Sequence, residues 1–418
     1  LKGNCAMEKR FDLKFFEVSE SDWTEMSDKN WMEIIKNKLG DSIGFESLPN
    51  LLKEKRPLVV KFGIDPTAAN IHIGHTVPMM LVKAFMKKGH DVRIIIGDFT
   101  ARIGDPSGRN TERAALSDET IMENLKTYKK QIGMFVNLNK VEICLNSTWI
   151  NKLTPSELFG FLQTVSLTQA TQRKDFKTRM ESGSSVSLAE VCYGPLMGID
   201  SVALKADIEI GGIDQLLNFM QCRDIMEKKG LKPEIALMTP ILEGTSNDGR
   251  KMSKSYGNAI AVLESDEEKF GKFMSIKDEL ILQYFKCFAF INDADLAELE
   301  TFVKLKPNEA KKQLATFFIG MQHHDMSMGE VARREFERKF STKEFLDEDF
   351  KHIKLVEGET LLALLCRANL GITNSEIRRM FKQSGIKTPD RKTTFKMDDI
   401  AIPGDVRVGK RILVRIIA

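Results

Sequence analysis

Residues 61–77, KFGIDPTAANIHIGHTV, place His72 and His75 three apart around Gly74, just after an Asp-Pro-Thr turn and at the start of an apolar run. The whole chain has six histidines, so two in one short segment ask for a reason. A spacing of three sets both rings on one side of the first turn of a helix. There the free backbone N–H groups and the positive end of the helix dipole favour phosphate. Gly74 lets a flat base or sugar approach the backbone closely. Alone, the pair reads either as a phosphate site or as two exposed capping histidines. A second segment, GRKMSKSYGN at 249–258, sets Lys251, Ser253, Lys254 and Ser255 in a glycine-flanked loop. Ammonium groups and hydroxyls on a mobile loop suit closure over a polyphosphate and neutralisation of its leaving group. No Walker loop or GxGxxG competes for a nucleotide.

The elements that would position these groups follow from periodicity. PLVVKFGI, DVRIIIGDFTA, KVEICLN, DIEIGG and EIALMTPI are short apolar, β-branched runs, each followed by a helix or loop, with helices expected at about 73–89 and 118–135. Alternation of this kind predicts an α/β fold, a Rossmann-like doubly wound parallel sheet covered on both faces. Such sheets bind ligands beyond the carboxyl ends of their strands, which is where Asp65, Thr67, His72 and His75 fall after VVKFGI. The spacing predicts a helical region at 1–56, the catalytic sheet domain with both motifs at 57–264 and a helical domain at 265–345. A polar link then leads to a basic module at 358–418. In that module twelve Lys and Arg face six Asp and Glu, while the rest of the chain is net negative. The asymmetry suggests a polyanionic partner reached through the tail, with a merely solvated basic surface as the equal alternative.

Hydrophobic content of 42% and charged content of 29% are ordinary for a globular chain. No apolar run is long enough for a membrane helix and no leader pattern opens the chain, so a cytoplasmic location and no membrane partner are expected. The opening LKGNCAM is set aside from fold reasoning. Six scattered cysteines, with no CxxC pair and no histidine at zinc spacing, read as reduced thiols and predict no metal site. His90 falls at a helix C-terminus, where positive charge is favourable. His323, His324 and His352 read as surface positions.

Beyond the HIGH and KMSKS pair, which is the signature of class I aminoacyl-tRNA synthetases, the chain resembles bacterial tyrosyl-tRNA synthetases. The resemblance covers about 57–418 and is carried by KFGIDPTAANIHIGH, IIGDFTARIGDPSGR, YGPLMGIDSVALKADIEIGGIDQ, LEGTSNDGRKMSKSYGN and FGKFMSIKDELILQYF. The tail from SEIRRMFKQSGIK onward is similar to a small α+β RNA-binding module shared with a ribosomal small-subunit protein. The resemblance implies that His72, His75 and Thr67 contact the phosphates of ATP while Lys251 and Lys254 neutralise pyrophosphate. It implies ATP binding at Gly74, Gly212, Asp214, Lys251, Ser253 and Lys254. Amino acid binding would involve Lys61, Gly63, Asp65, Asp105, Tyr193, Met197, Asp200 and Gln215, with Asp105 and Tyr193 on the ammonium and Asp200 on the phenol. It further implies a homodimer, L-tyrosine and tRNA(Tyr) as partners, Mg2+ accompanying ATP and no tightly bound metal or organic cofactor. In the helical domain it implies anticodon recognition. Arg378, Arg379, Lys382, Lys410 and Arg411 are the expected contacts to tRNA phosphates.

Three positions depart from the family pattern. Met197 stands where glutamine is typical, Ile199 where tyrosine is common, and Lys61 where many members hold a second phenol-binding tyrosine. Methionine cannot replace an amide hydrogen bond. Two further readings therefore stand beside a tyrosine–tRNA ligase: a paralogue activating another aromatic amino acid or tyrosine analogue, and a non-catalytic RNA-binding homologue.

Overall fold

The structure is a computed structural model that describes residues 20–67, 69–107, 116–246, 248–342, 344–409 and 412–418. It divides into two compact units, 1–332 and 333–418. The first is built on a six-stranded sheet in the order β1-β6-β5-β2-β3-β4, with β1 at Asp41–Ile43, β2 at Val59–Ile64, β3 at Asp91–Ile96, β4 at Glu142–Leu145, β5 at Ile208–Gly212 and β6 at Ile235–Thr239. β2 to β6 are parallel and β1 is an antiparallel edge. The central strands are apolar along their length because helices cover both faces, and Val60, Ile94, Ile208 and Leu237 are all buried. Chain order reverses direction between β2 and β5, so the ligand crevice of such a sheet opens at their carboxyl ends.

The parallel register between those two strands has a direct consequence. Val60, Lys61 and Phe62 lie beside Ile208, Glu209 and Ile210. A lysine and a glutamate in the interior of two apolar strands are thereby neighbours on one face, and burial obliges them to pair.

The Ile73–Lys87 helix follows β2 and is almost wholly buried, with Val77, Met80, Leu81, Ala84 and Phe85 in the core. Helices at Asp266–Phe273, Ile281–Phe288, Asp293–Leu305 and Pro307–His323 complete this unit. Phe318 anchors them through contacts with Phe273 and Phe288 at centroid distances of 5.1 and 4.9 Å.

The N-terminal stretch departs from an all-helical expectation. Helices occur at Asp28–Asn37 and Leu48–Leu52, but Asp41–Ile43 is strand β1, paired with β6. Three residues are too few to carry a period, so only the free edge of β6 defines this strand. His90 also differs: it packs against Trp31 and Phe85, its Nδ1 accepts from the Leu58 N–H, and burial lowers its pKa to about 4. The ring is neutral, so desolvation outweighs the helix end. Cys144, Cys222 and Cys287 are buried free thiols, Cys192 and Cys366 are half-buried, and Cys5 lies outside the described residues.

The second unit carries a four-stranded sheet, β7-β10-β9-β8, with β7 at Lys351–Lys354, β8 at Ile386–Lys387, β9 at Gly404–Val408 and β10 at Ile412–Ile417. Helices Leu361–Arg367 and Asn374–Lys382 pack on it around Leu364, Leu365, Ile377, Val408 and Val414. β7 arises inside the expected polar link, because only Ile353 of its four residues is buried and one apolar side chain makes no pattern.

Candidate active site

The first turn of the Ile73–Lys87 helix holds both histidines, their ring centroids 3.9 Å apart. The His72 N–H donates to His75 Nδ1 at 3.2 Å, which leaves the His75 proton on Nε2, the outward nitrogen. Gly74 leaves room between them, since a Cβ there would lie 3.0 Å from the His72 ring, which would have to shift. Burial lowers the pKa of His72 to about 2, and proximity to His75, Lys254 and Lys251 acts the same way. His75 presents an exposed ring but is rooted in poorly solvated surroundings that lower it to about 4. Both rings are therefore neutral donors near pH 7. The positive charge beside them comes from Lys251 and Lys254.

The loop carrying those lysines is organised by Asn258, which is buried. Its carboxamide oxygen accepts from the Ser253 N–H at 2.8 Å and its Nδ2 donates to the Lys251 carbonyl at 3.2 Å. Lys254 Nζ donates to the Asn70 carbonyl, which joins the loop to the segment leading into the histidines. Ile73 N–H to the Ile260 carbonyl at 2.9 Å ties the same two stretches together. Thr67 follows Asp65 at the carboxyl end of β2, its N–H on the Asp65 carbonyl at 2.8 Å.

Beside this surface lies a pocket of about 400 Å3, partly open to solvent, between the ends of β2, β3 and β5. Lys61, Gly63, Asp65, Tyr193, Met197, Asp200 and Gln215 line it, together with Thr100, Asn146 and Glu209, which sequence reading did not single out. Asp65 accepts from Tyr193 Oη at 3.0 Å and from Thr100 Oγ1 at 2.8 Å. Gly97 makes room for this, because a Cβ there would come within 2.0 Å of Asp65 Oδ1. Asp105 sits next to the pocket behind Gln215, accepting from Gln215 Nε2 at 2.9 Å, from the Ser107 N–H at 2.9 Å and from Asn218 Nδ2 at 3.4 Å. Buried Arg173 fixes this set from below, through Asn218 Oδ1 at 2.6 Å and Ser107 Oγ at 2.9 Å. Gln215 Oε1 accepts from the Gly212 N–H at 3.1 Å, and Asp214 lies alongside with its pKa raised by burial and by Asp105.

Asp200 is a buried carboxylate in the Tyr193–Leu204 helix. Trp149 Nε1 donates to its Oδ1 at 2.7 Å and Asn146 Nδ2 reaches Oδ2 at 3.5 Å. Burial raises its pKa to about 6, opposed by the Lys61 charge and by the two donors. Lys61 itself pairs with Glu209 Oε1 at 2.6 Å and donates to Ser201 Oγ at 2.6 Å and to the Met197 carbonyl at 3.2 Å. An ammonium has three donors, so protein groups satisfy all of them. Lys61 thus contributes charge at the pocket wall without a free N–H. The Met197 side chain packs with the apolar cluster of Phe219, Ala236 and Met238. Ile199 is buried with Leu196, Ile225 and Phe161, away from any polar partner role.

Arg378, Arg379 and Lys382 are exposed on the Asn374–Lys382 helix, whose start is capped by Thr373 and Glu376. Lys410 and Arg411 lie outside the described residues. Glu209, Glu234, Trp149, Asn146, Arg173 and Asn258 are among the polar residues that sequence reading passed over. A glutamate inside the apolar run DIEIGG, and a lysine inside VVKFGI, were the signal available for the first.

A parallel sheet whose chain order reverses between β2 and β5, two neutral histidines on a helix start and a lysine loop beside a polar pocket make up the architecture of a nucleotide-dependent class I synthetase. Solved structures share this fold. A C-terminally truncated mitochondrial tyrosyl-tRNA synthetase of Aspergillus nidulans matches at TM-score 0.60 and 20% identity, over 77% of this chain and 99% of that one. A tyrosyl-tRNA synthetase of Archaeoglobus fulgidus complexed with L-tyrosine matches at TM-score 0.59 and 20% identity, over 73% and 99%. Residues 53–341 match the family described as tRNA synthetases class I (W and Y), and the chain belongs to that family. Among curated relatives, tyrosine–tRNA ligase of Carboxydothermus hydrogenoformans is 39% identical over 93% of this chain and 98% of its own length. That of Aquifex aeolicus is 38% identical over 94% of this chain and 100% of its own.

Proposed function

We infer that this chain is a tyrosine–tRNA ligase: it activates L-tyrosine with ATP and transfers the tyrosyl group to tRNA(Tyr). The observation that carries this reading is Asp200, a buried carboxylate aimed into the pocket by Trp149 and Asn146 in a chain whose curated relatives bear that name. A buried acceptor left without its donor is costly, so a side chain lacking a hydroxyl is disfavoured there. Tyrosyl enzymes are the standard example of such discrimination against phenylalanine.

In the first step the substrate carboxylate attacks the α-phosphorus of ATP, a P–O bond forms, and the bond to the leaving pyrophosphate breaks. The nucleophile is already an anion, so positioning and charge stabilisation carry the step rather than a general base. His72 and His75, neutral, donate to the phosphate oxygens, with Thr67 beside them. Lys251 and Lys254 neutralise the pyrophosphate, and Ser253 and the Gly74 backbone complete the ATP surface. Gly212 and Asp214 take the ribose. Asp105, Tyr193 and Gln215 hold the ammonium end, with Asp65 orienting Tyr193. Met197 supplies an apolar wall and its carbonyl to Lys61, so the missing amide falls to the Asp105 set. Mg2+ enters with ATP as part of the substrate.

The exposed Arg378, Arg379 and Lys382 face supports a tRNA phosphate contact by 358–418, and the helices of 265–345 are the proposed anticodon region. Exposed Phe159, Leu167, Met180 and Leu188, between β4 and β5, support a homodimer through that stretch. Unpaired buried thiols support a cytoplasmic location. Among the described residues no helix is long and apolar enough to cross a membrane.

Amino-acid-dependent exchange of pyrophosphate into ATP, across all twenty amino acids, tests the reading. Tyrosine alone is expected to support exchange. Exchange with a different amino acid replaces the substrate, and none at all removes the catalytic reading. Removing 358–418 is expected to leave exchange intact while tRNA charging falls.

A further inference from the structure

The family's phosphate motifs leave one buried set unexplained. Lys61 and Glu209 are each 1% exposed and 2.6 Å apart, and Lys61 shares Ser201 Oγ with Glu234, whose Oε1 accepts from that hydroxyl at 3.0 Å. Glu209 Oε2 and Glu234 Oε2 are both buried with no donor aimed at either. The two carboxyl groups meet, and together with Cys222 Sγ they bring an atom each within 4.8 Å. Two carboxylates in one dry site do not both ionise, and a single proton between them satisfies both orphan oxygens. The set then carries one negative charge, balanced by Lys61, which already supplies the cation that such a cluster needs.

We propose that Lys61, with Glu209 and Glu234 sharing one proton behind it, is the positioning residue that fixes the Met197–Asp200 turn and keeps Asp200 an anionic acceptor for the substrate hydroxyl. One contact and one effect of charge carry it. Lys61 Nζ holds the Met197 carbonyl at 3.2 Å, one helical turn ahead of Asp200. Its charge also opposes the burial that raises Asp200 to about 6. The charged and titratable groups around Asp200 are Lys61 on β2, Glu234 ahead of β6 and Tyr193 on its own helix. Glu209 on β5 and Cys222 on the Leu216–Lys228 helix act on it through Lys61. The burial that raises Cys222 keeps it a thiol, so it adds no charge.

The inference rests on the tyrosine reading, and wild-type exchange is measured first, so that failure of that reading shows before any variant is made. The readout is the acid limb of kcat/KM for tyrosine, with kcat and KM for ATP followed separately. Lys61→Met keeps length and removes charge. Its limb is expected to move up by about one pH unit or more, lowering kcat/KM at pH 7 by about twofold or more through KM for tyrosine, with KM for ATP unchanged. Glu209→Gln and Glu234→Gln each put an amide N–H where the shared proton sat, and because charge is conserved each is expected to leave the acid limb where wild type has it, whatever its effect on the rate. Glu209→Gln with Glu234→Gln together removes a negative charge and is expected to move the limb down. These near-isosteric glutamine variants decide the matter even where Lys61→Met fails to fold. Single glutamine variants that shift the limb as far as the double one overturn the shared proton. A double variant without a downward shift, or a folded Lys61→Met with the wild-type limb, overturns the positioning role.

Discussion

Trp149 offers a sharp perturbation of the proposed amino acid pocket. Its Nε1 donates to Asp200 Oδ1 at 2.7 Å, while its ring packs beside Ile150, Leu196 and Ile199. Trp149→Phe keeps an aromatic body in that cluster and removes only the donor. A hydrogen bond to a charged group is worth about 1.5–3 kcal/mol, and one pKa unit corresponds to about 1.4 kcal/mol, so Asp200 is expected to rise by about one to two units. The sign is set by the direction already present: Asp200 titrates at about 6, anionic above and protonated below. Its loss as an acceptor thus appears on the acid side, and the variant carries the acid limb of kcat/KM for tyrosine up to about 7 or 8. At pH 7 the ionised fraction, and with it kcat/KM, falls by about twofold to tenfold, while near pH 9 the variant recovers. Pyrophosphate exchange at varied tyrosine and pH measures this, with KM for ATP as the internal control. A loss of equal size at every pH would refute the reasoning, since it would point to damaged packing rather than altered titration. An unmoved limb in an active variant would show that Trp149 does not support the anion.

Because His72 and His75 sit at about 2 and 4, kcat at saturating substrates is expected to stay level between about pH 6.5 and 8 as far as these rings are concerned. A limb in that window that disappears in His75→Asn contradicts neutral histidine donors. Replacing Arg378, Arg379 and Lys382 together by alanine is expected to leave exchange unchanged and to lower the salt slope of tRNA affinity by about 0.7 to 0.9 for each phosphate no longer neutralised. An unchanged slope in a titration from low to moderate salt removes that helix from the tRNA surface.

The sheet was legible because parallel strands buried on both faces must be short apolar runs, and VVKFGI, DVRIII and EIALMT are such runs. β1 and β7 were not, since an edge of three residues and a strand with one buried side chain take their structure from a neighbour's free backbone. The same division holds at the site. HIGH and KMSKS announce themselves because phosphate needs several donors close together on one turn or loop. Asn146, Trp149 and Arg173 act by long-range contacts, among them ones 54, 51 and 45 positions from their partners, which no local spacing encodes. Glu209 is intermediate: its charge inside an apolar strand was visible, but only the register with Lys61 says what it does.

The two ends of the site use opposite electrostatic strategies, and the difference follows from what each must do. In the proposed reaction charge changes around the phosphates, and the groups assigned there are neutral imidazoles, with the positive charge on a loop beside the site but not buried within it. A buried cation there would bind ground-state triphosphate as well as the transition state, which helps KM more than kcat. Around the side chain, nothing changes during the reaction, and the requirement is to distinguish a hydroxyl from its absence. That calls for a rigid, desolvated acceptor, and an acceptor anion in a dry pocket is stable only with compensating charge nearby. Lys61, locked by three protein acceptors, meets that requirement without competing for the substrate hydroxyl.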